Sequence, residues 1–207
     1  MSPLVKPIAR GLGVYLALVI VAMRIGPTIV GGWLPLYHWE IDVLSPAYRV
    51  DSLVLHTEHG ETVVALTLRF IHTQVVGGHL IPVGGTIWSS TLAGHTLQPL
   101  IILLSSVLAW PIRRFRDRIP LLLCALPIIL LVELLDVPLV LMGSIQDLIL
   151  ANLAPGTHSL LVVWMNVMNG GGRLALGLVG ALLAVACYRM LDVRLPSTQH
   201  VAAAASP

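Results

Sequence analysis

Residues 119–142 read IPLLLCALPIILLVELLDVPLVLM, an apolar run interrupted only by Glu133 and Asp136. A helix of that length rises about 36 Å, enough to cross the roughly 30 Å hydrocarbon core of a bilayer. Working outward, Gly11–Val30, Leu97–Ile112 and Leu160–Leu191 have the same character. The whole chain agrees with them. Of its 207 residues, 57% are hydrophobic and 11% charged, against about 25% charged in an ordinary soluble domain. Mean hydropathy is +0.90, and a water-soluble globule is excluded. The net charge of +2 is small and scattered, which leaves no footprint for nucleic acid. The sequence therefore predicts a membrane α-helical fold with four transmembrane helices at 11–30, 97–112, 119–142 and 160–191. Arg24 follows the first apolar run and no small-residue cleavage pattern comes after it, so that span reads as an uncleaved anchor.

Lysine and arginine near span ends are retained on the cytoplasmic side, and acidic residues contribute little to orientation. Eight of the 12 basic residues agree on one arrangement. Lys6 and Arg10 lie in the N-terminal segment 1–10; Arg113, Arg114, Arg116 and Arg118 fill the connection 113–118; Arg189 lies near the end of the last span and Arg194 in the tail 192–207, which is Ala-rich from Pro196. Both termini are then cytoplasmic, and segments 31–96 and 143–159 lie outside, in the periplasm if the membrane is a bacterial inner membrane.

The outer segment 31–96 carries a strand signal. Val64, Leu66, Leu68 and Phe70 alternate with Val63, Ala65, Thr67 and Arg69, and the pattern from Val50 to Ile71 breaks near Glu58, His59 and Gly60, as a β-hairpin does. Two strands alone are marginal in water, so further strands from Gln74 to Val83, or a partner surface, are expected to cover it. Trp33, Tyr37 and Trp39 read as an aromatic anchor at the headgroup level. In segment 143–159, Ser144 and Asp147 resemble a capping box ahead of a short interfacial helix that Pro155 and Gly156 end.

Chemistry is expected where ionisable groups enter the spans, because each costs at least about 2.5 to 3.5 kcal/mol at mid-membrane. Glu133 and Asp136 share one helix face. Counted from the outer span ends at Val30, Met142 and Leu160, Arg24 matches the depth of Asp136, at about 9 Å, and Asn169 and Arg173 overlap Glu133. The expectation is an interior polar cluster of Arg24, Glu133, Asp136, Asn166, Asn169 and Arg173. It either neutralises itself and sets helix register, or holds a lipid headgroup, an anion or a proton path. Gly170, Gly171 and Gly172 suit close helix packing or, as a helix break beside Arg173, an anion pocket.

His56 and His59 form an H-x-x-H pair in a turn that imposes no chelating geometry, which makes them weak metal candidates. Cys124 and Cys187 sit at the cytoplasmic ends of their spans, remote from the histidines of the outer segments, so no Cys–His nucleophile is expected. No catalytic residue and no cofactor are predicted. The partners implied are membrane lipids and another integral membrane subunit. An N-terminal anchor, an outer β segment at Glu61–Phe70, and spans that start near Gln98, Pro99 and Leu100 and end in basic residues together resemble the small membrane proteins associated with bacterial exosortases, in particular the exosortase H-associated type. The resemblance implies an accessory role beside a membrane-embedded protein-sorting system and carries over no catalytic residue. The alternative is a small membrane enzyme or transporter acting at Glu133, Asp136 and Arg173.

Overall fold

The computed structural model describes residues 5–112 and 118–194. The expectations placed on Arg113, Arg114, Arg116 and the tail beyond residue 194 lie outside the described residues. In chain order the elements are α1 (Val5–Leu44), β1 (Tyr48–Glu58), β2 (Glu61–Phe70), β3 (Gln74–Val76), β4 (His79–Ile81), β5 (Thr86–Leu92), α2 (Ala93–Ala109), α3 (Arg118–Leu153), α4 (Leu160–Val167), a π turn (Met168–Gly172) and α5 (Arg173–Arg194). Three helical stretches, Ala9–Leu44, Arg118–Leu153 and Leu160–Leu191, are long and apolar enough to cross a membrane. Helix α2, expected as the second span, has 17 residues and rises about 25 Å, short of the roughly 30 Å core.

Helix α1 does not stop at Val30. It runs to Leu44 through Pro27 and Pro35, because Val30, Tyr37 and Ile41 are fully buried and Trp33 and Leu34 are partly so. That spacing is one helical stripe, and tertiary packing holds it helical. Tyr37 is consequently a core residue rather than part of an interfacial aromatic anchor, whereas Trp39 is exposed.

The hairpin forms with β1 and β2 antiparallel, from Tyr48↔Phe70 to Glu58↔Glu61, and a register shift at Asp51. Its two-residue turn uses His59 at φ 51° and Gly60 at φ 84°, the positive pair that matches strand twist. The bulged Asp51 meets Arg69 at 2.6 Å. Residues 74–83 do not extend this sheet. β3 and β4 pair with each other, and β5 completes the order β1-β2-β5. The small hairpin turns on Gly77 and Gly78; a Cβ at Gly77 would lie 1.9 Å from the Leu153 carbonyl oxygen, so only glycine fits where it crosses the end of α3.

Helix α3 is continuous, with no separate helix beginning at Ser144. The Ser144 hydroxyl donates to the Val140 carbonyl oxygen at 3.0 Å, the back-bond of a mid-helix serine rather than a cap. Two larger apolar cores stack along α3, beside a small one of Val140, Met165 and Met168. One joins Val137, Leu141 and Ile145 to Val30 and Ile41 of α1 and to Val64, Leu66 and Leu68 of the sheet. The other joins Leu121, Ala125 and Val132 to Leu103 and Val107 of α2 and to Ala181, Ala184 and Val185 of α5. At the end of the bundle remote from the sheet, the Arg10 and Arg118 guanidinium groups both donate to the Leu108 carbonyl oxygen, at 3.1 and 3.2 Å, and Arg189 stacks over Trp110. Apolar side chains point outward along α1 from Leu12 to Ile25, along α3 from Ile119 to Leu131 and along α5 from Leu174 to Leu191.

Candidate functional site

At the junction of the two cores, between Val132 and Val137, α3 presents Glu133 and Asp136, 1% and 0% exposed. Arg173, 2% exposed, reaches Asp136 from the first turn of α5. Its Nε donates to both Asp136 carboxylate oxygens at 2.9 Å, and its Nη1 donates to Asn169 Oδ1 at 3.1 Å. The Tyr37 hydroxyl of α1 donates to Glu133 Oε2. One cluster thus ties three helices that are remote in sequence.

Local structure explains each placement. Ser45, just past α1, lies against Met142 at 3.5 Å. Tyr37 is eight residues before Ser45 and Glu133 nine before Met142, so parallel helices bring them level. Gly171, at φ 108° and ψ 0°, breaks the line between α4 and α5, a conformation open to glycine. The break resets the register so that Arg173 turns inward. Helix α4 is pinned beside it: the Trp164 indole donates to the Leu135 carbonyl oxygen at 2.7 Å, and a Cβ at Gly143 would sit 2.6 Å from the Leu161 carbonyl oxygen.

Of the residues expected in this cluster, Glu133, Asp136, Asn169 and Arg173 come together. Arg24 and Asn166 do not: both are exposed and neither has a polar partner among the described residues. The depth match for Arg24 assumed that α1 ends at Val30; the helix extends 14 residues further, which moves the outer reference point by about 21 Å. The position facing Glu133 is therefore Tyr37. Sequence reasoning missed it because an aromatic beyond the apolar run has the signature of an interfacial anchor; the signal available was the 30–34–37–41 stripe. Glu40, one turn further along, likewise belongs to α1 rather than to the loop beyond it.

The glycine run makes a break rather than a packing seam. Nothing lies within 4 Å of a Cβ position at Gly170 or Gly171, and Gly172 faces the Val167 carbonyl oxygen of its own turn at 2.6 Å. Close helix packing uses Gly177 and Gly180 instead, where a Cβ would lie 2.6 Å from the Pro99 carbonyl oxygen and 2.8 Å from Leu103 Cδ1. His56 and His59 are exposed on β1 and its turn, and no group of three or more His, Cys, Asp or Glu side chains fit to hold a metal occurs among the described residues. Cys124 and Cys187 are free thiols, neighbours across α3 and α5.

The cluster contains two carboxylates, one guanidinium and one phenol. Glu133 Oε1, Arg173 Nη2 and Glu40 Oε2 are buried with no hydrogen-bond partner. An apolar cavity of about 250 Å³ lies among Leu44, Tyr48, Leu139, Met142 and Leu161, and clefts open beside His95 and beside Trp88. None of the three is lined by Tyr37, Glu133, Asp136 or Arg173. No protein-family model, curated protein or solved structure matches the chain.

Proposed function

We propose that this chain is a non-enzymatic integral membrane protein, an accessory or structural subunit of a larger complex in a bacterial inner membrane. The observation that carries the reading is how the buried charges are used. Asp136 is ion-paired with Arg173 and Tyr37 bonds Glu133, while the cavities described open elsewhere. The ionisable groups tie α1, α3 and α5 together and line none of the cavities described.

On this reading α2 crosses with the other three, its short length accommodated by local thinning of the bilayer. The end bearing Arg10, Arg118 and Arg189 is cytoplasmic by the bias of basic residues. The sheet then stands in the periplasm, where edge strand β1 and the exposed Trp88 offer a partner surface. The resemblance in layout to exosortase-associated proteins supports a partner of the protein-sorting type.

Purification in mild detergent tests the reading. A second integral membrane protein should co-purify in constant ratio; a chain that purifies alone from cells in which its loss has a phenotype overturns the subunit assignment. A cysteine introduced by Arg116→Cys should resist impermeant maleimide applied to intact cells, and labelling there overturns the orientation.

One observation favours a second reading, an enzyme or transporter acting on a lipid or anionic substrate: Glu133 Oε1 and Arg173 Nη2 are buried and unpartnered. Glu133→Gln and Asp136→Asn separate the two. Loss of a cellular activity with unchanged accumulation and co-purification supports the second reading; failure to accumulate supports the first.

A further inference from the structure

The face of α4 and α5 that turns away from the bundle carries groups that lipid does not satisfy. Val163, Val167, Leu174 and Leu178 are exposed and apolar, as a lipid-facing ridge is. Within that ridge Asn166, Asn169, Gly170 and Gly171 are exposed as well, and the backbone leaves helical geometry at Gly171. Irregular backbone at membrane depth is tolerated only where protein covers it or it lines a water-filled cavity. A carboxamide without partners is costly in hydrocarbon. Asn166 has no hydrogen-bond partner among the described residues, and Asn169 uses only its Oδ1, on Arg173. Directly behind Asn169, the Arg173 side chain is almost wholly buried and its Nη2 has no acceptor. The polar groups at the break are therefore incompletely bonded both at the surface and beneath it.

We propose that this face is a homodimer interface, on which a second copy of the chain packs its own α4–α5 break. Three features favour a second copy over an unlike helix. A carboxamide carries both donors and an acceptor, so Asn166 and Asn169 are complementary to themselves across a two-fold axis. Arg173 is the only charged residue between Leu160 and Tyr188 and is paired with Asp136, so two copies meet without like-charge repulsion. The open space over Gly170 and Gly171 admits a second backbone closely, as small residues do in paired membrane helices. The inference rests on the membrane reading above.

The test uses the full chain in membranes, with Cys124→Ala, Cys187→Ala and Gly170→Cys; position 170 has room for a side chain. Oxidation with copper phenanthroline should convert most of it to a species of twice the 22.2 kDa chain mass, while Leu123→Cys on the exposed face of α3 stays monomeric. Two differently tagged copies of the natural chain should co-purify. Asn166→Leu with Asn169→Leu should lower both yields about threefold or more, the effect of losing an interhelical hydrogen bond. A Gly170→Cys chain that stays monomeric while reacting with a membrane-permeant maleimide overturns the dimer. So does cross-linking to a different chain, or to no greater extent than Leu123→Cys. Recovery of the protein in the soluble fraction overturns the membrane reading and the inference with it, whereas a membrane-bound monomer overturns the inference alone.

Discussion

Arg173 holds Asp136 with its Nε 2.9 Å from each carboxylate oxygen, and both side chains are buried. Two such charges in a low-dielectric interior are tolerable only as a pair, because the desolvation of each is offset by the other. Asp136→Leu alone leaves the guanidinium uncompensated and should lower stability by about 3 to 5 kcal/mol. The double variant Asp136→Leu with Arg173→Leu should recover most of that loss. Thermal unfolding of detergent-purified variants measures it, and a double variant no more stable than the singles shows that the pair does more than compensate itself.

The Tyr37–Glu133 contact makes a separate prediction. Tyr37→Phe removes the one donor to a carboxyl that is otherwise unpartnered, an unmade buried bond worth about 1 to 3 kcal/mol. Glu133→Gln keeps an acceptor facing the phenol and should cost markedly less. Equal destabilisation by the two substitutions, read from the same unfolding curves, argues against this bond as the tie between α1 and α3.

Gly177 and Gly180 set how closely α5 approaches α2. Gly177→Val places side-chain atoms where the Pro99 carbonyl already lies, and overpacking of this kind costs about 1 to 3 kcal/mol. Gly94→Ala, with nothing within 4 Å of its Cβ position, should be neutral or slightly stabilising, since alanine favours helix over glycine. Accumulation in membranes and midpoint of unfolding distinguish the two sites.

The Cys124 and Cys187 thiols are neighbours across α3 and α5. Mild oxidation of the natural chain should join them within one molecule, protecting both from alkylation and leaving the mass that of a monomer. Free reactivity of both thiols after oxidation contradicts the packing of these two helices.

The strand alternation at Val64, Leu66, Leu68 and Phe70 was legible in the sequence because a period of two reports directly which side chains face the core. β5 was not, since its Ser89, Ser90 and Thr91 carry little hydrophobic contrast; it is a strand because β2 offers it a ladder. The acids of α3 and Arg173 were legible as a cluster because charge inside an apolar run demands a partner. Their actual pairing was not, since depth counted from a misjudged helix end set Arg24 level with Asp136, whose partner is Arg173, and left Tyr37 outside the span.

Composition and periodicity are properties of each segment alone, and they sufficed for apolar helices long enough to cross a membrane, a hairpin between the first two, and buried charges needing neighbours. Helix ends, the register between helices and the choice of partner depend on surfaces contributed by distant segments. Val30, Tyr37 and Ile41 prolong α1 only because α3 and the sheet bury them, and Arg173 meets Asp136 only because Gly171 turns the chain. Burial of a shared surface, which no single segment encodes, is the physical reason for the first, and for the second it is that burial together with a backbone turn open to glycine.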